Sequence, residues 1–299
     1  MRGSNPPFFM LKTILYFLFL FDALFIQAQS EMVRSLQQHV RFLAADSLKG
    51  RATGSKEEAV VNQYLIQNLR RAKNVSMLHW RYSFTKEKQV YNSEMVGCFV
   101  NNKSKKTILI SAHVDHIGWG SNLSLSHKNN EVHNGADDNA SGVALVLELQ
   151  KLLVLENLGV NVLFVFYSGH ELGLFGSEYL VNNLSKKWKN ILLTLNFDMV
   201  GRMDKELQKV FVSSSDSLKG KFNSAFTQCN LIEADDQRLL SLDCSHFHKR
   251  GIPSATFSTG MHNDYHKTSD DEKYINYQGM EILLNAIHTW LMVNYKTDN

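Results

Sequence analysis

Four short apolar segments with the length and composition of buried strands recur along this chain, and helical segments separate them. The predicted strands are Thr107 to Ala112, Val160 to Tyr167, Ile191 to Phe197 and Ser254 to Phe257. Strands that alternate with helices favour a parallel sheet, because parallel neighbours need a long crossover that is usually helical. The sequence therefore predicts an α/β sandwich with a mainly parallel sheet.

Apolar periodicity places the helices between these strands. Over Glu31 to Val75 apolar residues recur on one helical face, and the turn from Gly50 to Gly54 divides the segment into two helices. Further helices are predicted over Val143 to Leu155, after Leu174, near Leu218 to Cys229, and over Gln278 to Asn294. We find no internal repeat and no linker, so one domain is the economical interpretation.

The first 28 residues have the pattern of a secretory signal peptide. Lys12 precedes an apolar run from Ile14 to Ile26, and small Ala28 closes it. The run is shorter than the roughly 20 apolar residues of a membrane span, and no later segment is long and apolar enough to be one. We therefore expect a signal peptide at residues 1–28, one domain at 29–299, and export to the periplasm or the exterior without a membrane anchor.

Charge and cysteine content exclude several classes of partner. The formal charge of +3 gives no reason to expect nucleic acid, which needs clustered basic residues. The three cysteines, Cys98, Cys229 and Cys244, permit at most one disulfide and lack zinc-knuckle spacing. Free or buried thiols are favoured, and for Cys244 a packed thiol is favoured over a metal ligand. A serine hydrolase is disfavoured because no Gly-x-Ser-x-Gly motif is present.

Acidic and histidine side chains follow the carboxyl ends of all four predicted strands. In chain order they are His113 and Asp115, His170 and Glu171, Asp198, and His266. A further acid, Asp138, lies in the small-residue loop from Gly135 to Gly142. Ligands bind at this edge of open α/β sheets, so these side chains are expected to converge on one crevice.

Each of these residues also has a purely structural interpretation. Asp138 could cap the helix that begins near Ser141, Asp198 could pair with Arg202, and Glu171 could favour a helix start. A lone histidine is more often structural than a ligand. Chance, however, is a poor explanation for four predicted strands that are all followed by residues of the kinds that bind metals.

Six sequence motifs together resemble the M28 family of co-catalytic zinc aminopeptidases and carboxypeptidases. They are LAADSLKGRATGS at 43–55, SAHVDHIG at 111–118, NGADDNASGVA at 134–144, FYSGHELGLFGS at 166–177, LNFDMVGRM at 195–203 and YHKTSDD at 265–271. The resemblance implies a three-layer sandwich of the phosphorylase/hydrolase-like kind with a mixed central sheet. It also implies two Zn²⁺ ions per chain.

The resemblance assigns metal ligands residue by residue. His113 resembles a ligand of one zinc, and Asp138 resembles the carboxylate that bridges both ions. Glu171 and Asp198 resemble ligands divided between the two ions, and His266 resembles the last ligand. These nitrogen and oxygen donors are all suited to zinc.

The residues expected to assist catalysis include one departure from the family pattern. Asp115 resembles the acid that orients His113, and Tyr265 resembles a group that polarises the substrate carbonyl. The family ordinarily has a glutamate as proton acceptor immediately before the ligand Glu171, but here that residue is His170. Its imidazole could accept a proton from water or coordinate zinc instead.

The predicted function is a secreted zinc-dependent exopeptidase, foremost an aminopeptidase that hydrolyses the N-terminal residues of peptides. Two alternatives remain open. The first is a catalytically impaired relative that keeps its metal and binds a peptide or partner, which His170 suggests. The second is an enzyme like glutaminyl cyclase, which shares an acid-rich zinc site.

Overall fold

Eight strands form one sheet in the computed structural model, which describes residues 31–120, 122–126, 130–184, 190–234 and 242–297. The strands are β1 (Val75–Lys86), β2 (Gln89–Val100), β3 (Thr107–His113), β4 (Asn161–Tyr167), β5 (Ile191–Phe197), β6 (Lys209–Ser214), β7 (Asn230–Glu233) and β8 (Ser254–Ser258). Their spatial order is β1-β2-β4-β3-β5-β8-β6-β7. The four central strands, β4-β3-β5-β8, are mutually parallel, while β1, β2 and β6 introduce antiparallel pairs. The predicted mainly parallel, mixed sheet is confirmed.

Helices cover both faces of the sheet in the described part of the chain. They are α1 (31–43), α2 (Lys56–Asn68), α3 (Gly142–Leu153), α4 (Phe175–Asn182), α5 (Ser245–His248) and α6 (Tyr277–Tyr295). The larger core lies between the sheet and α1, α2, α3 and α6. A smaller core on the opposite face contains residues of α4 and α5 packed against β1, β2, β3 and β4. The fold therefore has the three layers expected from the sequence.

Burial explains why the central strands were predictable from composition. Every residue of β3 and β4 is buried, because helices cover both faces of these parallel strands. Their sequences are consequently almost continuous apolar runs. The edge hairpin of β1 and β2 instead mixes exposed and buried positions, and sequence analysis did not identify it. The final part of the segment taken as helical, at Val75, is in fact the start of β1.

The two predicted N-terminal helices are present as α1 and α2. Ser55 caps α2, since its hydroxyl accepts a hydrogen bond from the Glu58 amide at 3.0 Å. The turn between the helices contains Gly50 and Gly54, which both have positive φ. The prediction of a turn from Gly50 to Gly54 is thus consistent with a backbone conformation that glycine adopts readily.

The helix predicted near Leu218 to Cys229 is wrong. This segment forms two short 3-10 turns, at Asp216–Leu218 and Asn223–Ala225, and then enters β7. Its apolar residues are buried at helical spacing, which produced the prediction. Gly220 has φ +70°, however, and this interrupts any continuous helix.

The predictions of a signal peptide, of the domain bounds and of no membrane span concern residues that the structure describes only in part. The predicted signal peptide at 1–28 lies outside the described residues, and the single domain at 29–299 remains a prediction. Within the described residues, no helix has the length and apolar character needed to traverse a bilayer.

All three cysteines are buried and free. Cys244 packs its sulfur 3.1 Å from the Thr256 hydroxyl, as expected for a structural thiol.

Candidate metal centre and active site

The predicted site residues meet at one edge of the sheet. His113 is the last residue of β3, His170 and Glu171 follow β4, and Asp198 follows β5. Because these three strands are parallel neighbours, their carboxyl ends lie side by side. The loop before α3 adds Asp138 and the loop after β8 adds His266, so all five predicted metal ligands converge.

Asp138 lies between two groups of potential ligands and presents one carboxylate oxygen to each. Its Oδ1 is 3.3 Å from His113 Nε2, and Asp198 Oδ1 is 3.5 Å from the same nitrogen. Its Oδ2 is 3.3 Å from His266 Nε2, and Glu171 Oε2 is 3.1 Å from that nitrogen. The arrangement suits two cations that share Asp138.

The rings of His113 and His266 are oriented so that each could offer its Nε2 lone pair to a cation. His113 Nδ1 donates to the main-chain oxygen of Asp115 at 3.1 Å, and His266 Nδ1 donates to that of Leu123 at 3.0 Å. Their Nε2 atoms are buried and have no hydrogen-bond partner among the described residues. A buried, unpaired ring nitrogen is costly unless it binds a ligand, and neutral imidazole with Nδ1 occupied is a common zinc ligand.

Electrostatics show that the cluster favours positive charge, supplied either by protons on the histidines or by bound cations. Burial alone would lower the pKa of His113, but the carboxylates of Asp198 and Asp138 raise it well above its usual value. At His266 burial is likewise outweighed by Asp138 and Glu171, which raise its pKa to about 10. The buried carboxylates of Asp138, Glu171 and Asp198 therefore stabilise positive charge at this site. Zinc fits the residues present, because the donor set combines imidazole nitrogen with carboxylate oxygen.

Sequence analysis did not assign His116 to the site, although it lies within it. Its Nδ1 is 2.9 Å from Glu171 Oε1 and 3.7 Å from Asp138 Oδ2. These three residues form one group with metal-ligand geometry, and His113, His170 and Asp198 form another. The only available signal was its position three residues after His113 in the same post-strand segment. His116 can orient Glu171 or bind a cation beside it.

Asp115 supports the site through different contacts from those predicted. The sequence suggested that its carboxylate orients His113, but the hydrogen bond comes from its main-chain oxygen, and Oδ1 is 3.9 Å from the imidazole. The carboxylate instead accepts the amides of His170 and Glu171, at 3.2 and 3.3 Å, and the hydroxyl of Thr53 at 2.7 Å. Asp115 therefore fixes the backbone that carries the next two site residues.

His170 is held on two sides. Its ring stacks on that of His113, with centroids 3.7 Å apart and planes 7° from parallel. Its Nδ1 lies 2.8 Å from Asp243 Oδ2, and its Nε2 lies 3.9 Å from Asp198 Oδ2. Burial and the neighbouring His113 lower the pKa of His170, but Asp243 and Asp198 outweigh them and raise it to about 9.

Arg51 and Asp270 hold the loop that carries Asp138. The fully buried guanidinium of Arg51 donates to the main-chain oxygens of Gly135 and Asp138, at 2.8 and 3.2 Å, and also reaches neighbouring segments. Asp270 Oδ2 accepts the amides of Asp137 and Asp138, at 2.9 and 3.0 Å. Main-chain donors and acceptors on both sides of the bridging carboxylate are thereby fixed.

A cavity of about 370 Å³ opens beside this cluster. Its polar wall is formed by Asp138, His170 and Asp198. The remaining lining residues are Met199, Leu242, Thr256, Ser258, Gly260, Met261 and Tyr265. Tyr265 stacks on His266 with ring centroids 3.9 Å apart, and burial raises the pKa of its hydroxyl, which therefore remains a hydrogen-bond donor. A substrate in this cavity would contact both carboxylates and an apolar wall.

An α/β sandwich with a cluster of potential metal ligands at the carboxyl edge of its parallel strands defines the class of this protein. A family model described as Peptidase family M28 matches residues 94–291. The chain belongs to that family.

The chain is also similar to individual relatives, and solved structures share its fold. The chain is 27% identical to Aminopeptidase YwaD of Bacillus subtilis over 60% of its own length and 39% of that protein. A zinc aminopeptidase from Bacillus subtilis, BSAP, has a similar structure, with a TM-score of 0.71 at 15% identity over 89% of this chain and 96% of that one. A glutaminyl cyclase of Porphyromonas gingivalis has a TM-score of 0.72 at 17% identity, over 87% and 97%. The curated relatives matched first are longer, and the chain spans about two fifths to just over half of their length.

Proposed function

We propose that this protein is an exported zinc-dependent exopeptidase, an aminopeptidase that removes N-terminal residues from peptides with two zinc ions per chain. The observation that carries the proposal is the placement of Asp138, whose two oxygens face the unpaired Nε2 atoms of His113 and His266. Family membership and relatives named as aminopeptidases support the type of reaction. Export rests on the signal-like sequence at 1–28.

The chain's own residues would divide the two ions between them. His113, Asp138 and Asp198 would hold the first ion, and Asp138, Glu171 and His266 the second. Zinc in such a site acidifies water and polarises the scissile carbonyl. His116, through its contact with Glu171, would keep that carboxylate oriented.

His170 would supply the proton transfer that peptide hydrolysis requires. Its Nδ1 contacts Asp243, and cations held by His113 and Asp198 would oppose the raised pKa of His170 and favour the neutral ring, whose Nε2 could then accept a proton. That nitrogen would accept a proton from the attacking water and pass it to the leaving amine. Tyr265, which lines the same cavity, would donate a hydrogen bond from its hydroxyl to the substrate carbonyl.

The cavity indicates the kind of residue that is cleaved. Its volume of about 370 Å³ lies at the small end of ligand sites and suits one side chain rather than a folded segment. Met199, Leu242 and Met261 give it an apolar wall. We therefore propose that apolar N-terminal residues are preferred over acidic ones.

The test is hydrolysis of a panel of aminoacyl-4-nitroanilides by zinc-loaded protein, beside His170→Ala and His170→Glu. We expect wild-type turnover on leucyl or methionyl substrates, about two zinc ions per chain, and a loss of about 10² to 10⁴ in kcat for His170→Ala. Activity in His170→Glu alone would refute a working His170 and favour a metal-bearing, catalytically impaired protein. The panel includes a peptide with N-terminal glutamine, because cyclisation of that substrate without anilide hydrolysis would favour the glutaminyl cyclase alternative.

A further inference from the structure

We infer that His133 is a positioning residue for the second zinc ion, an inference that rests on the proposed function. It lies in the loop before Asp138, and its side chain contacts the segment 122–126. The main-chain oxygen of Leu123 in that segment accepts a hydrogen bond from His266 Nδ1 at 3.0 Å. His133 holds this oxygen in place and so orients the His266 ring toward the ion.

The described residues 122–126 form no helix or strand, so their position depends on individual contacts. The Leu125 amide donates to the main-chain oxygen of His266 at 2.9 Å, and Ser126 Oγ accepts the Thr268 amide at 3.0 Å. Both contacts join the segment to the loop that carries His266, which would let the two move together. A further contact is needed to fix His266 relative to ligands on other loops.

His133 supplies that contact through Ser124, the residue after Leu123. Its Nε2 lies 2.8 Å from the Ser124 hydroxyl. Its Nδ1 lies 2.9 Å from the main-chain oxygen of Glu131, which can only accept, so Nδ1 donates. A serine hydroxyl can donate or accept. The contact between Ser124 and Nε2 is therefore available whether the ring is neutral or charged.

The surroundings of His133 fix its ring. The residue is completely buried, and its amide donates to the main-chain oxygen of Gly118 at 2.8 Å. Gly120 lies against the ring and has φ +79°, and a Cβ at that position would lie 2.5 Å from Cε1 of His133. Only glycine leaves the space that the ring occupies. The enclosed ring is thus a rigid anchor for Ser124.

These contacts connect three parts of the ligand cluster. Gly118, which accepts the His133 amide, follows His116 in the loop after β3, and His133 itself precedes Asp138. The ring therefore ties the support of His266 to the loops that carry His116 and Asp138. Outer hydrogen bonds of this kind orient metal ligands, and their loss typically costs about 10- to 100-fold in metal affinity.

Competition with a chromogenic chelator tests the role of His133, because it measures the two zinc affinities without substrate. His266→Ala identifies the second ion, since it removes the histidine of that ion. We expect His133→Ala to weaken the second ion about 10-fold and to leave the first within about twofold, because His113 and Asp198 lie at the ends of β3 and β5. A merely structural role would weaken both ions alike or neither, and either result would overturn the inference.

Two amide substitutions separate the contacts of the His133 ring. Glutamine can place its side-chain oxygen near the position of Nε2 and accept from Ser124, whereas asparagine is too short and reaches only toward Glu131. We therefore expect His133→Gln to keep the second ion within about threefold of wild type, and His133→Asn to match His133→Ala. Equal affinities in the glutamine and asparagine variants would contradict the inference.

Ser124→Ala removes the same contact from the other side. It should weaken the second ion as much as His133→Ala does, and the double variant should be no weaker than either single variant. Additive losses would show that the two residues act separately, which would refute the inference.

The matched controls are His79→Ala and Ser83→Ala. His79 contacts Glu94 at 2.9 Å and the Ser83 hydroxyl donates to Asn92 at 2.7 Å, both outside the site. Each control replaces the same residue type in a comparable hydrogen bond, and it should leave both zinc affinities unchanged.

The inference and the proposed function fail on different results. Two ions in wild type, with the second retained at full affinity in His133→Ala, would exclude the role of His133 alone. Fewer than two ions in wild type would exclude the proposed dizinc site and this role with it. Two ions without hydrolysis of any peptide would exclude the peptidase function, while the chelator measurements would still decide the role of His133.

Discussion

Replacing Glu58 by glutamine should stabilise the protein at pH 8 and much less at pH 5. Glu58 is only 2% exposed, and its carboxyl group contacts the Gly54 amide at 2.6 Å and the hydroxyls of Ser93 and Ser168. Burial, and then the nearby charge of Asp115, raise its pKa to about 8. The folded protein therefore holds Glu58 neutral over most of the physiological range, and glutamine has the shape of that neutral acid.

The magnitude follows from the difference between the folded pKa of about 8 and the ordinary value of 4.5. Below pH 4.5 both folded and unfolded chains are protonated at Glu58, so its neutral form is fully compatible with folding. As pH rises toward 8 the unfolded chain loses the proton first, and the folded state loses stability relative to it. At about 1.36 kcal/mol per pKa unit, the advantage of Glu58→Gln should grow by about 3 to 4 kcal/mol between pH 5 and pH 8.

Urea unfolding of wild type and variant at pH 5, 6, 7 and 8, in buffer with a chelator and followed by tryptophan fluorescence, measures this difference. The control is Glu57→Gln at the adjacent, solvent-accessible position, where a main-chain hydrogen bond and Lys49 lower the pKa of the carboxyl group. Its stability difference from wild type should not grow with pH. If the difference in unfolding free energy between Glu58→Gln and wild type stays constant within about 0.5 kcal/mol from pH 5 to pH 8, Glu58 is ionised in the folded protein and the reasoning is refuted.

Three further predictions concern the metal cluster and the thiols. Asp138→Asn should reduce bound zinc from the proposed two ions to one or none, because a neutral amide replaces the carboxylate proposed to be shared by both ions. Inductively coupled plasma mass spectrometry measures the zinc content, and two ions retained would contradict the sharing of Asp138. His116→Ala should weaken one zinc about 10- to 100-fold in competition with a chelator, since the contact that orients Glu171 is lost; an unchanged affinity would remove His116 from the site. Cys244 should not react with a thiol reagent in the native protein, because burial raises its pKa to about 12, whereas a native reaction as fast as that in urea would contradict the described packing.

The predicted parts of the fold are those in which composition and burial coincide. Strands β3 and β4 are enclosed on both faces, so they are mostly apolar, and the histidine and acidic residues at or shortly after their carboxyl ends stand out. This is why His113 and Glu171 could be placed at one sheet edge from the sequence. The β1–β2 hairpin lies at the margin of the sheet and mixes exposed with buried residues, which weakens both strand and helix signals.

The incorrect helix illustrates the opposite situation. Leu218, Phe222 and Phe226 are buried four residues apart, as on a helical face. The same spacing arises here because successive tight turns each direct one apolar side chain into the core. Periodicity reports which residues are buried, and it does not by itself specify the backbone that buries them.

Contacts between distant segments account for what was missed in the site. Asp243 follows no predicted strand and has no ligand-like spacing to His170, so only the folded chain brings them together. The main-chain oxygen of Asp115, rather than its carboxylate, orients His113, and residue identity carries no information about such a bond.

The buried Arg51 has a consequence for where a functional fragment can begin. Its guanidinium joins the oxygen of Leu43, near the end of α1, to those of Val114 and Asp138 beside the metal cluster. The family match begins at residue 94, well after Arg51. A truncation to the matched region would remove Leu43 and Arg51 and would leave the main-chain oxygens of Val114 and Asp138 without this donor. We therefore expect a fragment that keeps the ligand cluster ordered to include Arg51 and the end of α1 at Leu43.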